Sequence, residues 1–154
     1  MELLQTGPLK SWQSPETLSF NRLAARATLF PYPSLALAKR NDRTKSPWWC
    51  SLNDEWDFRL VDRPENVPSD FVQPKFNPEK SADWAKIPVP SNWTMHGYDR
   101  PHYTNIVMPF DDQAPNVPAE NPTGLYRTTI TVPSDWKGRR TILHFGGAES
   151  VLYV

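Results

Sequence analysis

Between Ile87 and Asn105 the chain places five rings, Trp93, His96, Tyr98, His102 and Tyr103, and the amides of Asn92 and Asn105 among three prolines, Pro88, Pro90 and Pro101. Flat rings suit the apolar C–H faces of a sugar, and short polar side chains suit its rim of hydroxyls. The segment therefore reads as a carbohydrate-facing loop. Packing is the competing role for its aromatics, because loop rings often anchor a loop to its own domain. For Trp93 the packing role is the expected one, while Tyr103 is open to either. Asn105 offers two donors and an acceptor without acid–base chemistry, so it could recognise a hydroxyl or cap a turn after Tyr103-Thr104.

Other chemistry is poorly provided for. His96 and His102 have no cysteine or carboxylate at a standard metal spacing, so no zinc site is expected. Asp99, Asp111, Asp112, Glu120 and Glu149 all read as turn or surface charges, and no catalytic role is assigned to any of them. Cys50 is the only cysteine, which excludes an intrachain disulfide and a thiolate metal cage. The 17 basic and 17 acidic residues cancel, so no global field favours nucleic acid or an anionic membrane. A neutral, polyhydroxylated ligand fits that balance. No apolar run reaches a membrane span, the first ten residues lack the core of a signal peptide, and the expected location is the cytoplasm.

Elements that could position the loop come from the pattern on either side. Residues 1–47, with hydrophobic clusters such as Leu29-Phe30-Pro31-Tyr32-Pro33 broken by proline, read as an extended arm and linker, with one short helical turn over 34–40. From 48 to 154 the pattern is of short strands. Trp56, Phe58 and Leu60 alternate with Asp57 and Arg59, giving one buried face. Tyr126, Ile130 and Val132 share a face of a predicted strand over 125–132. A turn over 133–138 leads to a returning strand over 141–145, which contains His144, and a further strand begins at Ser150. Seventeen prolines in 154 residues fit a β domain with stiff turns. The apolar run at the end, with no turn or polar tail, leads us to expect that the chain is a fragment, C-terminally incomplete.

Five motifs in one order carry a resemblance. Trp12, Pro15 and Asn21-Arg22-Leu23-Ala24 fit W-x-x-P and NRL; Ser51-Leu52-Asn53-Asp54-Glu55-Trp56-Asp57-Phe58 resembles SLNGxWxF; residues 89–105 fit VPSNW-x-x-HGYD-x-P-x-YTN; residues 120–126 fit ENPTGxY; and His144 to Ser150 resembles F-x-G-V-x-S. Together they resemble the N-terminal domain of microbial β-galactosidases of glycoside hydrolase family 2. The resemblance implies an all-β fold, a jelly-roll or galactose-binding-domain-like β-sandwich that lies against a catalytic (β/α)8 barrel in the complete enzyme. It implies that Asn105 reaches into a galactosyl site, with Ile106 lining the same wall through its backbone; Tyr103 is the third candidate for contact with the sugar. Retaining hydrolysis of terminal β-galactosides, lactose among them, requires two carboxyl groups about 5–5.5 Å apart. The resemblance places both beyond Val154, so the chain alone is expected to be inactive.

The same resemblance implies magnesium and sodium for the full-length enzyme, with none held by this chain, and a homo-oligomer whose arm follows subunit contacts. The chain departs from the pattern at Asp54, where the family has glycine. It departs again at Ser11, Ser14 and Thr17, where one branch of the family has metal-contacting positions. A non-catalytic carbohydrate-binding module and a pure assembly element remain the alternatives.

Overall fold

The computed structural model describes residues 5–6, 9–113, 115–149 and 151–154. Among the described residues five strands carry most of the regular structure: β1 (Gln5–Thr6), β2 (Leu9–Lys10), β3 (Asp54–Val61), β4 (Ala85–Val89) and β5 (Thr123–Arg127). A four-residue helix, α1 (Leu35–Ala38), and several single 3-10 turns join these strands. β1 and β2 form a small antiparallel ribbon, and β3 is the centre of a three-stranded antiparallel sheet in the order β4-β3-β5. The fold class is all-β, as the strand periodicity predicts. The chain divides into two compact units, residues 1–20 with 53–128 and residues 21–52 with 129–154.

In the first unit, β3 forms because its aromatic and branched residues favour the pleated backbone and because it finds a partner on each side. Trp56 lies opposite Ile87 of β4, and Phe58 lies opposite Ala85 of β4 and Tyr126 of β5. Directly opposed residues share a face. Phe58 and Ile87 are 0% exposed, and the face they occupy carries the expected apolar alternation. Pro88, which has no N–H to give, is tolerated because β4 is an edge strand of this sheet.

The expectation of a single buried face needs correction. Val61 is on the face of Asp57 and Arg59, yet it is buried, and with Val67 and Leu125 it forms a core cluster against which Phe71 and Trp84 pack. Charged residues on this face are held at its margin: Lys86 Nζ donates to Asp57 at 2.8 Å, and Arg59 lies 3.3 Å from Asp83. The Asp57 carboxylate raises the Lys86 ammonium above its ordinary pKa. Arg127 donates to the carbonyls of Phe71 and Gln73 and lies over the Phe76 ring, so it staples the segment after β3 to β5.

The second unit contains α1, where Ser34 accepts a hydrogen bond from the Leu37 N–H, as the predicted turn over 34–40 requires. Cations on rings hold much of the rest. Arg43 lies 5.9 Å from the Phe30 ring and 5.1 Å from that of Trp49, and Arg139 lies 5.1 Å from Trp48. The Trp136 indole donates to Pro47 O at 2.9 Å, and Ser46 donates to Pro31 O at 2.6 Å. The 133–138 turn forms, with a 3-10 turn at Ser134–Trp136 and Gly138 at φ +80°.

The strands expected on both sides of that turn do not form as read. β5 stops at Arg127, which leaves Ile130 and Val132 exposed, and 141–145, including His144, is irregular. Val151–Val154 is also outside any strand, and Ser150 lies outside the described residues. The physical reason is pairing. Alternation prepares a segment to join a sheet, but a two-stranded hairpin with no third partner is marginal in water.

Candidate carbohydrate-facing loop

The loop begins where β4 ends, and its first half is built on the sheet. Ser91 Oγ donates to Pro88 O, closing the chain over the edge of β4. Trp93–His96 then makes one 3-10 turn, ended by Gly97 at φ +84°, a left-handed conformation that suits glycine. This turn drives Trp93 and Tyr98 inward. Their rings surround Phe58, with centroid distances of 6.1 Å for Trp93 and 4.7 Å for Tyr98, the latter edge-on, and Tyr126 adds a third ring at 4.9 Å.

Gly124 makes room for this cluster. A Cβ there would meet Trp93 Cζ3 at 2.5 Å and Phe58 Cε2 at 2.9 Å. Trp93 therefore packs on the backbone of β5, the role its surroundings of proline suggested. Burial of the cluster also pushes the Tyr126 phenol above its ordinary pKa.

The second half of the loop leaves the sheet unit's core. Residues 101–113 have no regular structure, and Tyr103 is 68% and Ile106 80% exposed. Asn105 is exposed as well, and its Nδ2 donates to the Tyr103 hydroxyl at 3.2 Å. The three residues singled out in the sequence thus stand together at the surface. One amide hydrogen of Asn105 is used by Tyr103, so a second donor and the carbonyl acceptor face solvent. The Tyr103–Asn105 hydrogen bond, between residues two apart, had no signal in the sequence.

His102 turns instead to the Phe110 ring, edge-on at 5.2 Å, and His96 is exposed at the end of its turn. Among the described residues no group of three His, Cys, Asp or Glu side chains is placed to hold a metal ion. Asp99, Asp111, Asp112, Glu120 and Glu149 are all exposed. No helix among the described residues is long and apolar enough to cross a membrane.

Comparison with known proteins bears directly on this loop. The family model of the glycosyl hydrolases family 2 sugar binding domain matches residues 49–154, which include β3, β4, β5 and the whole loop. Similar proteins are a beta-galactosidase of Vibrio vulnificus, 40% identical over 99% of this chain, and one of Pseudoalteromonas haloplanktis, 37% identical over 94%. Another, from Priestia megaterium, is 38% identical over 92%. The chain spans 14% of the length of each of the three. That domain is of the jelly-roll, sandwich type, and the sheet around Phe58 is the part of it formed among the described residues. Matched over most of its length, and with the loop's first half seated on that sheet, the chain belongs to glycosyl hydrolase family 2, in its sugar binding domain.

Proposed function

We propose that this chain is the sugar-binding portion of a β-galactosidase, and that Asn105, Tyr103 and Ile106 present one wall of its galactosyl site. The observation that carries the reading is the exposed pair of Asn105 and Tyr103, hydrogen-bonded to each other with donor and acceptor capacity left over. Likeness to beta-galactosidases over nearly the whole chain supports the substrate class. In this reading residues 48–154 form the sugar-facing domain and residues 1–47 an arm that joins subunits of a homo-oligomer. Terminal β-galactosides such as lactose are hydrolysed with retention in the cytoplasm, and the carboxyl pair, magnesium and sodium belong to a catalytic barrel elsewhere in the longer enzyme.

The role given to this chain's residues is orientation. Asn105 holds a hydroxyl of the galactosyl ring, Tyr103 fixes the rotamer of Asn105, and Ile106 lines the same wall through its backbone. Asn105→Ala in the longer enzyme should lower kcat/KM for a β-galactoside by about 5- to 150-fold, the equivalent of about 1–3 kcal/mol. The melting temperature should stay the same. Unchanged kcat/KM would remove Asn105 from the site.

A further inference from the structure

Charge divides the chain along its two units. Residues 21–52 with 129–154 contain nine lysines and arginines against three carboxylates, Asp42, Asp135 and Glu149, whereas residues 1–20 with 53–128 contain eight against fourteen. The neutral total thus hides one unit of net charge +6 and one of −6. All four ion pairs among the described residues, Lys10–Glu65, Arg59–Asp83, Arg63–Asp62 and Lys86–Asp57, lie in the acidic unit. The nine cations of the basic unit are all exposed, and none belongs to an ion pair among the described residues.

Part of this surplus is gathered in one place. Pro47 O accepts from the Trp136 indole at 2.9 Å, the Arg139 guanidinium lies 5.1 Å from the Trp48 ring, and that of Arg43 lies 5.1 Å from the Trp49 ring. Residues 47–49 thereby hold the turn Arg43–Lys45 and the segment 134–140 together, and Lys45, Lys137 and Arg140 are exposed on them. A guanidinium over a ring keeps its charge and its edge donors, so the patch suits carboxylates. A nucleic acid would be drawn to one unit and repelled by the other. A second copy of the chain answers both, because its acidic unit has the matching charge and exposes carboxylates such as Asp54, Glu55, Asp70, Asp111 and Asp112 outside the ion pairs.

We propose that the basic unit is a docking surface for the acidic unit of a second copy, and that a two-fold pair of chains makes this contact twice. The inference rests neither on the galactosyl role of Asn105 nor on the arm of residues 1–47, since Lys137 and Arg140 lie outside both. The test is sedimentation velocity of the full 154-residue chain at two ionic strengths. At about 10 mM salt the Debye length is about 30 Å and the mass should be that of a dimer; at about 1 M it is about 3 Å and the mass should be that of a monomer.

Two double variants with the same change in net charge locate the contact. Lys137→Glu with Arg140→Glu should weaken dimerisation about tenfold or more by setting like charges together, whereas Lys75→Glu with Lys80→Glu makes the acidic unit more acidic and should leave dimerisation as tight or tighter. All four side chains are exposed, so the fold should tolerate both variants. A monomer at low salt overturns the proposal. So does association that persists in about 1 M salt, which would come from exposed apolar residues such as Ile130, Val132 and Leu143. Equal weakening in the two double variants also overturns it, as the general coalescence of a chain without net charge. Displacement of the second copy by an equimolar short single-stranded RNA would make the partner a nucleic acid instead.

Discussion

The two halves of the loop after β4 contain similar residues and do opposite things. Residues 91–98 are closed by Ser91 and Gly97 and turn Trp93 and Tyr98 onto Phe58, whereas residues 102–108 keep Tyr103, Asn105 and Ile106 at the surface. Ring chemistry does not separate them, since a Trp or Tyr can pack or stack equally well. What separates them is the neighbour within reach. Gly124 lies opposite Leu60 and leaves a space that only a flat ring fills, while nothing comparable approaches Tyr103. A packed first half gives the second a fixed root, and a binding loop needs a rigid scaffold beneath it.

Phe58→Ala should break the comparison most severely. Phe58 is fully buried and touches three rings, so its removal should cost about 3–5 kcal/mol in chemical denaturation and free Trp93 and Tyr98. A loss near zero would show that the first half of the loop is not seated on the sheet. Gly124→Ala should be smaller, at about 1–3 kcal/mol, through overpacking of Trp93. Its double mutant with Trp93→Leu should lose less than the sum of the two single changes. Strict additivity would mean that the two residues do not meet.

Much of this was legible in the sequence, and the exceptions share a cause. The alternation of Trp56, Phe58 and Leu60 announced β3, and the stretch 34–40 was readable as a helical turn, because both signals are local. The second covered face was not announced. Val61 has the parity of Asp57 and Arg59, and its partners Val67, Leu125 and Trp84 come from separate segments. The strands expected around Ile130, Val132 and Leu143 fail for the reverse reason: these residues have strand-like patterning without a ladder to join. At the site, Asn105 could be singled out from the resemblance, but its bond to the Tyr103 hydroxyl depends on a backbone bend that no residue type dictates.

A third prediction concerns acid and the arm. Lys10 holds the Glu65 carboxyl below its ordinary value of 4.5, so the pair contributes stability that is fully present above that value and is lost as pH falls through the lowered one. Both side chains are about a third exposed, 35% and 33%, and a pair so placed is worth about 0.2–1 kcal/mol. Asp62, held low by the Asn66 amide, and Asp42, held low by the Thr44 hydroxyl, titrate in the same direction. The measurement is therefore a difference: the stability curves of the chain and of Lys10→Met should be fully separated above pH 4.5 and draw together as pH falls below it, meeting only below the lowered value. Parallel curves would show that Lys10 does not reach Glu65 in solution.

The smallest effect on stability, and the sharpest test of the comparison, is expected from Tyr103→Phe. It deletes the hydroxyl that accepts from Asn105 and leaves the ring in place. Because Tyr103 is 68% exposed, the fold should change by less than about 0.5 kcal/mol, well below the cost at Gly124. On the proposed function, its consequence belongs to the ligand. Without the hydroxyl, Asn105 is free to sample other rotamers, so kcat/KM of the longer enzyme for a β-galactoside should fall, but by less than in Asn105→Ala, where the amide itself is gone. An equal melting temperature with reduced kcat/KM is the signature of an orienting contact. A destabilisation as large as that of Gly124→Ala would place Tyr103 among the packing rings with Trp93 and Tyr98, and the division of the loop into a seated half and a presenting half would fail.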